Sequence, residues 1–282
     1  MSMNWPINWD GPLCDSHVHL FPEKLLRAIY GFFRQQYGWE LPFPADPDRL
    51  AVLLQEQGVG RAFALAYIHK PDLSRSLNRW LYDFSARNPW LVPFGAVHPL
   101  DRDLKLVLKE ALVKFKFAGL KLHFLVMPYR PDDERLFPVY EALLEQKRAL
   151  VLHAGSFPLP AEDRLGSRYV LRLLSRYPGL QLVVSHLGLY DLEAYREMLE
   201  AFPGLYLDTA FVFQNGAFPL PMEQIRRLIL DFPGRILHGS DFPFIAGSPL
   251  QGVARLLQWR LPEQIYRQLF YANALSFLKP DS

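Results

Sequence analysis

Short runs of β-branched and apolar residues alternate along this chain with longer segments whose apolar positions recur at helical spacing. The runs fall at residues 12–19, 61–68, 91–98, 119–124, 149–153, 180–186, 205–208 and 235–240, and each predicts a strand. Between them lie helical material beginning at Glu23 and amphipathic segments at 47–57, 104–115 and 169–177. Three helices are predicted to stop at Tyr177-Pro178-Gly179, Phe202-Pro203-Gly204 and Phe232-Pro233-Gly234, each just before a strand. Eight strands separated by helices in one continuous series predict an α/β fold closed as a parallel (β/α)8 TIM barrel rather than an open sheet.

No linker or low-complexity stretch divides the 282 residues, so one domain spanning 1–282 is expected; a TIM barrel typically takes ~250 residues. Its one irregularity is an insertion after the first strand, at about 20–45, longer than a simple βα connection needs. It carries Phe21, Tyr30, Phe32, Phe33, Tyr37, Trp39 and Phe43. An insertion there sits over the C-terminal mouth, so these aromatics read either as a lid or pocket wall or as an extra helix packed on the barrel.

Composition narrows the function more than the fold. A formal net charge of +2, with the basic pairs around Lys114 and Arg226 flanked by acids, gives no nucleic-acid footprint. No apolar run reaches the ~18 residues that span a bilayer, and the start Met-Ser-Met-Asn-Trp-Pro has no signal-peptide character. The single cysteine, Cys14, excludes an intramolecular disulfide. A cytoplasmic protein acting on a small molecule is expected, and a homo-oligomer is compatible with that.

The histidines carry the chemistry. All eight (17, 19, 69, 98, 123, 153, 186 and 238) lie in a predicted strand or just beyond one. Alternation puts His17 with His19 on one face, and Lys121 with His123. Strands seven and eight bring Asp208 and Asp241 at or just past their ends. The C-terminal mouth is where a TIM barrel places its chemistry. Burying so many polar groups there without partners would cost a few kcal/mol each, so a metal is expected. Imidazole and carboxylate donors without thiolate favour zinc, with manganese, iron or cobalt as alternatives. Such an ion would lower the pKa of a bound water to about 7.

Asp15-Ser16-His17-Val18-His19 resembles the D-x-H-x-H motif of the amidohydrolase superfamily. The series Gly95-Ala96-Val97-His98-Pro99, Gly119-Leu120-Lys121-Leu122-His123, His153-Ala154-Gly155, Ser185-His186-Leu187-Gly188 and Gly239-Ser240-Asp241-Phe242-Pro243 is similar, in order, to its "amidohydrolase 2" branch. That branch includes aminocarboxymuconate-semialdehyde decarboxylase-like enzymes and lactone hydrolases. The resemblance covers essentially the full chain. It implies one divalent metal on His17, His19, His153 and Asp241, with His186 orienting or deprotonating the attacking water and Asp241 also accepting a proton. In binuclear relatives a strand-four lysine is carboxylated; the mononuclear branch implies an unmodified Lys121 in a structural or substrate-facing role.

Further expectations attach to single residues. His98 and His123 would orient ligands rather than bind the ion, and Asp208 would either support the ligands or touch substrate. Lys70, Arg130 and Arg164 follow strands and could each clamp a substrate carboxylate. His238 would face outward, His69 would be solvated, and strand parity turns Cys14 away from the His17 face. The leading function is metal-assisted hydrolysis of a small lactone, ester or amide; the alternative is non-oxidative decarboxylation of an unsaturated or aromatic acid on the same ligands. A TatD-type nuclease would want a strand-four glutamate that 119–123 lacks. A non-catalytic binding barrel would have no reason to keep an open coordination position.

Overall fold

The computed structural model describes residues 9–155, 165–214 and 220–279. Its strands are β1 (Cys14–Val18), β2 (Arg61–Leu65), β3 (Leu91–Ala96), β4 (Gly119–His123), β5 (Ala149–His153), β6 (Leu182–Val184), β7 (Leu205–Asp208) and β8 (Ile236–Leu237). They pair in parallel, each with its sequence neighbour, in the order β1 to β8. Outside them run α1 (Glu23–Tyr37), α2 (Pro47–Glu56), α3 (Ser74–Arg87), α4 (Leu104–Lys109), α5 (Phe137–Glu145), α6 (Ser167–Arg176), α7 (Leu192–Ala201), α8 (Met222–Asp231), α9 (Gln251–Leu257), α10 (Glu263–Arg267) and α11 (Asn273–Leu278). The (β/α)8 barrel is therefore what the pattern predicted.

Local chemistry explains the element ends. Asp46 caps α2 by accepting from the backbone N–H groups of Asp48 and Arg49, with Pro47 opening the helix. Gly38 ends α1 at φ 67°. The apolar stripe Tyr169, Val170, Leu173 and Leu174 buries one face of α6 against the barrel. Among the described residues no helix is long and apolar enough to cross a membrane.

Most strands stop earlier than the hydrophobic runs. Thus His19, His98 and His186 lie just beyond strands, whereas His123 and His153 are the last residues of theirs. Register sets His123 opposite His153 and Lys121 opposite Val151. Inside the barrel Cys14, Phe63, Phe94, Val151, Val183 and Leu237 pack together, with Phe277 of α11 joining them. Cys14 corrects the parity expectation: a register shift between Asp15 and Val18 lets it and His17 both face inward.

The β8–β1 seam is irregular. β8 has two residues, and the junction is stitched by Ser16 N to the His238 carbonyl (2.8 Å), His19 N to the Phe242 carbonyl (2.7 Å) and Asp241 N to the His17 carbonyl (2.9 Å). The His238 carbonyl belongs to this seam, but its side chain turns to the outer layer, packed on Phe270 and beside Gly252. Neither of its ring nitrogens has a hydrogen-bond partner, and burial pushes its pKa down to about 4. The unfolded chain takes up this proton near 6.5, so stability is lost as pH falls from about 6.5 to about 4, by up to about 3 kcal/mol. His238→Leu should lose less stability than wild type between pH 7 and 4.5 in urea titrations; equal losses would contradict this.

Candidate metal centre and active site

His17 on β1 and His19 just past its end turn the same way, and Asp241 meets them from beyond β8 in the left-handed region, at φ 72°. The two Nε2 atoms are 3.2 Å apart, and Asp241 Oδ1 lies 3.3 Å from the first and 3.2 Å from the second. These three donor atoms form the group among the described residues that could hold a metal ion.

Hydrogen bonds fix what these atoms offer. His17 Nδ1 donates to Asp208 Oδ2 at 2.8 Å, and His19 Nδ1 donates to the Leu65 carbonyl at 2.9 Å. A neutral imidazole has one N–H, so both Nε2 atoms present bare lone pairs. Burial, reinforced by Lys121, drives His17 well below the ordinary imidazole range against the opposing pull of Asp241. Burial also works to raise the Asp241 carboxyl, but the His19 hydrogen bond and the neighbouring imidazoles outweigh it and hold the group ionised. Once the proton that His19 Nε2 shares with Asp241 is given up, two lone pairs and a carboxylate oxygen converge. A divalent cation turns that repulsion into ligation, and the donor set fits zinc, manganese, iron or cobalt.

The other histidines at the mouth form a chain of determined polarity. His186 Nδ1 donates to the Ala210 carbonyl at 2.8 Å, which leaves its Nε2 as the acceptor for His153 Nδ1 at 3.0 Å. His153 Nε2 is consequently bare and buried, with no hydrogen-bond partner among the described residues. His153 does not join the three-atom group; it reaches it through His186, whose ring lies 5.1 Å from that of His17. His186 and Leu187 hold left-handed conformations, φ 58° and 54°, a strain of about 1–3 kcal/mol per residue that recurs at functional sites. Gly188 follows at φ 71°, where a Cβ would come within 2.0 Å of the Tyr195 ring.

Asp208 organises the cluster. Its Oδ2 holds His17, and its Oδ1 accepts from the backbone N–H groups of His186 (2.9 Å) and Ala210 (3.0 Å). In Asp208→Asn an NH2 must face a donor whichever way the amide turns. Metal affinity should fall about 10–100-fold, as for other groups that orient ligands. Competition with a chromophoric chelator measures it, and unchanged affinity would remove Asp208 from this role.

Lys121 is fully buried, its Nζ donating to Ser185 Oγ at 2.9 Å. Burial lowers its pKa to about 8, with Asp208 and Asp241 pulling the other way. His123 stacks on His153 with centroids 4.0 Å apart and meets Tyr67 at 4.6 Å. His98 is not brought to the metal group: its Nδ1 accepts from Leu100 N and its backbone N–H binds Asp101. Arg130 is also elsewhere, half exposed, 3.2 Å from Asp132 and over the Tyr169 ring. His69 and Lys70 are exposed, and Arg164 lies outside the described residues.

The insertion does reach the mouth. His19 lies near-parallel to Phe21 (6.1 Å) and Phe244 (5.1 Å), which are 6.4 Å from each other, with Tyr67 edge-on (5.2 Å). The wall continues from Phe244 to Phe33 (5.4 Å), Trp39 (5.8 Å) and Phe211 (5.9 Å). Phe211 adjoins Ala210, the acceptor for His186.

Sequence reasoning passed over several of these residues. Asp15 opens the D-x-H-x-H motif, and its Oδ1 accepts from His17 N (3.1 Å) and Ser240 N (2.9 Å), tying β1 to the strand-eight loop. Burial raises it to about 7. Its place in the motif was the available signal. Ser185 likewise stood in the Ser185-His186-Leu187-Gly188 motif, whereas Tyr67, Phe211 and Phe244 had no signal beyond lying after strands.

A (β/α)8 barrel with convergent imidazoles and a carboxylate at its C-terminal mouth defines a class of metal-dependent enzymes. The chain belongs to the amidohydrolase family, whose model matches residues 14–279. None of the curated proteins matches the sequence significantly. Among solved structures, an uncharacterised TIM-barrel protein from Bordetella bronchiseptica is similar at 18% identity and TM-score 0.74, covering 95% of this chain and 98% of that one. A 2,6-dihydroxybenzoate decarboxylase from Rhizobium is similar at 17% identity and TM-score 0.69, covering 96% and 99%. A 5-carboxyvanillate decarboxylase from Novosphingobium aromaticivorans, complexed with manganese and 4-hydroxy-3-methoxy-5-nitrobenzoic acid, is similar at 15% identity and TM-score 0.70, covering 95% and 96%.

Proposed function

We propose that this chain is a metal-dependent, non-oxidative decarboxylase of a small aromatic or unsaturated carboxylic acid. The observation that carries the reading is the aromatic wall running from His19 through Phe244, Phe33 and Trp39 to Phe211. It gives a planar substrate a stacking surface directly against the metal group. This moves the emphasis from hydrolysis, the leading expectation from sequence, to its alternative. Decarboxylases with aromatic substrates among the similar structures support the same reading.

His17, His19 and Asp241 would hold the ion, with the bare Nε2 of His153 as a fourth donor. The bound ion supplies Lewis acidity toward the oxygens of the substrate carboxylate. Charge favours an anionic substrate: Lys121 and a divalent ion would bring positive charge beside the Asp241 carboxylate, while burial works against ionisation of Asp208 and Asp15. The wall orients the ring and excludes water. As the bond to the carboxylate breaks, carbon dioxide leaves and its former partner carbon takes a proton. That proton would come from water: His186 Nε2 or the Asp241 carboxylate, both acceptors, would take it up and hand it to that carbon.

The test is a panel of hydroxybenzoates, unsaturated acids, lactones and esters, read for carbon dioxide release and for hydrolysis with zinc- and manganese-loaded protein. Carbon dioxide from an aromatic or unsaturated acid is expected; hydrolysis of the lactones or esters without decarboxylation of any acid would overturn the proposal. Within the active panel, Trp39→Ala should raise KM for ring-bearing acids about tenfold, a loss of ~1.4 kcal/mol, with a smaller change in kcat. An unchanged KM would take Trp39 out of the binding wall.

A further inference from the structure

The end of the barrel opposite the metal group carries a cleft of about 280 Å³ lined by the starts of β2 to β6. Four cations surround it: Arg61, Lys116, Lys147 and Arg148. Among the described residues no acidic one lines it. None of the four has an acidic partner within ion-pair distance among the described residues, and Arg148 Nε is buried without any hydrogen-bond partner. Elsewhere on the surface arginines are commonly neutralised, as in Arg27–Glu23, Arg49–Glu56, Arg75–Glu110 and Arg196–Asp231.

Backbone conformation gives a second, independent observation. Lys116 and Lys147 occupy equivalent turns feeding β4 and β5, and both hold left-handed conformations, φ 54° and 49°. Glycine adopts that region without strain. Here each turn instead carries a long cationic side chain, and both line the same cleft. Phe277 supplies an apolar patch in the lining and belongs to the plug of Cys14, Phe63, Phe94, Val151 and Leu237 that fills the barrel interior. An occupant of the cleft is therefore screened from His17, His19 and Asp241 by packed side chains.

We infer that this cleft is a second binding site, for a compact oxyanion carrying two or more charges, of the phosphate class. Arginines offer forked donors that match phosphate oxygens, and lysines add mobile point charges. The volume admits inorganic phosphate or the phosphate of a small metabolite.

The experiment is calorimetric titration of the metal-loaded protein with inorganic phosphate, with acetate as a monovalent control at matched ionic strength. The double variant Lys147→Ser/Arg148→Gln is titrated alongside. Saturable phosphate binding is expected, at least tenfold tighter than acetate and weakened at least tenfold in the double variant. The variant should keep wild-type metal content, so phosphate held at the metal group would persist in it and be told apart. Binding that survives intact in the variant, or a response that acetate reproduces, would overturn the assignment. A third arm uses a single-stranded oligonucleotide; binding of it that outcompetes phosphate would assign the face to a nucleic acid and overturn the small-anion site.

Discussion

His17→Ala should strip most of the roughly one equivalent of divalent metal that the purified protein is expected to carry, as removing a donor from a three- or four-ligand site does. The residue has two tasks. Its Nε2 faces His19 and Asp241, and its Nδ1 is clamped by Asp208. Truncation removes a donor and leaves Asp208 buried without its imidazole partner. Asp241→Asn tests the same group more gently. The amide keeps the shape of the carboxylate but loses its charge, and turnover should fall with metal content. Elemental analysis after dialysis, with circular dichroism to confirm folding, reads both variants. Full occupancy in folded protein of either kind would dismantle the ligand assignment.

The second large effect separates chemistry from ligation. His186→Ala is expected to keep its metal and lose about 10²–10⁴-fold in turnover, the range for a lost acid–base group. The expectation rests on tautomers. His186 spends Nδ1–H on the Ala210 carbonyl and offers Nε2 as an acceptor, and it stands outside the three-atom group. Loss of metal together with rate would make it a ligand. Full retention of both would make it structural and leave Asp241 to carry the proton alone.

The barrel was legible because eight apolar runs and three Pro-Gly stops repeat one physical unit, and His17 with His19 follow directly from the period of two in a strand. Parity failed where the backbone stops being regular. A register shift in β1 turned Cys14 inward. Asp241 and His186 sit in left-handed turns after strands, where alternation no longer says which way a side chain points. His98 looked equivalent to the other strand-end histidines, yet its loop closes on Asp101 and keeps it away. Arg130 was placed by its position after a strand; in the structure it is half exposed and paired with Asp132. The aromatic insertion could be read two ways, because only tertiary contact shows that Phe33 and Trp39 meet Phe244 and Phe211.

The seam between β8 and β1 gives the metal group a mechanical meaning. Two of its three candidate donors, His17 and His19, stand on one side of this irregular junction, and the third, Asp241, stands on the other. Gly239 permits the approach, since a Cβ there would come within 2.8 Å of His17 Cβ. An ion bound across this line is a removable rivet in the hoop of strands, adding about 4 kcal/mol when free metal stands at a thousand times its dissociation constant. Local opening of the barrel and release of the ion then become one event, and the amides of Ser16, His19 and Asp241 are where the hoop would part first.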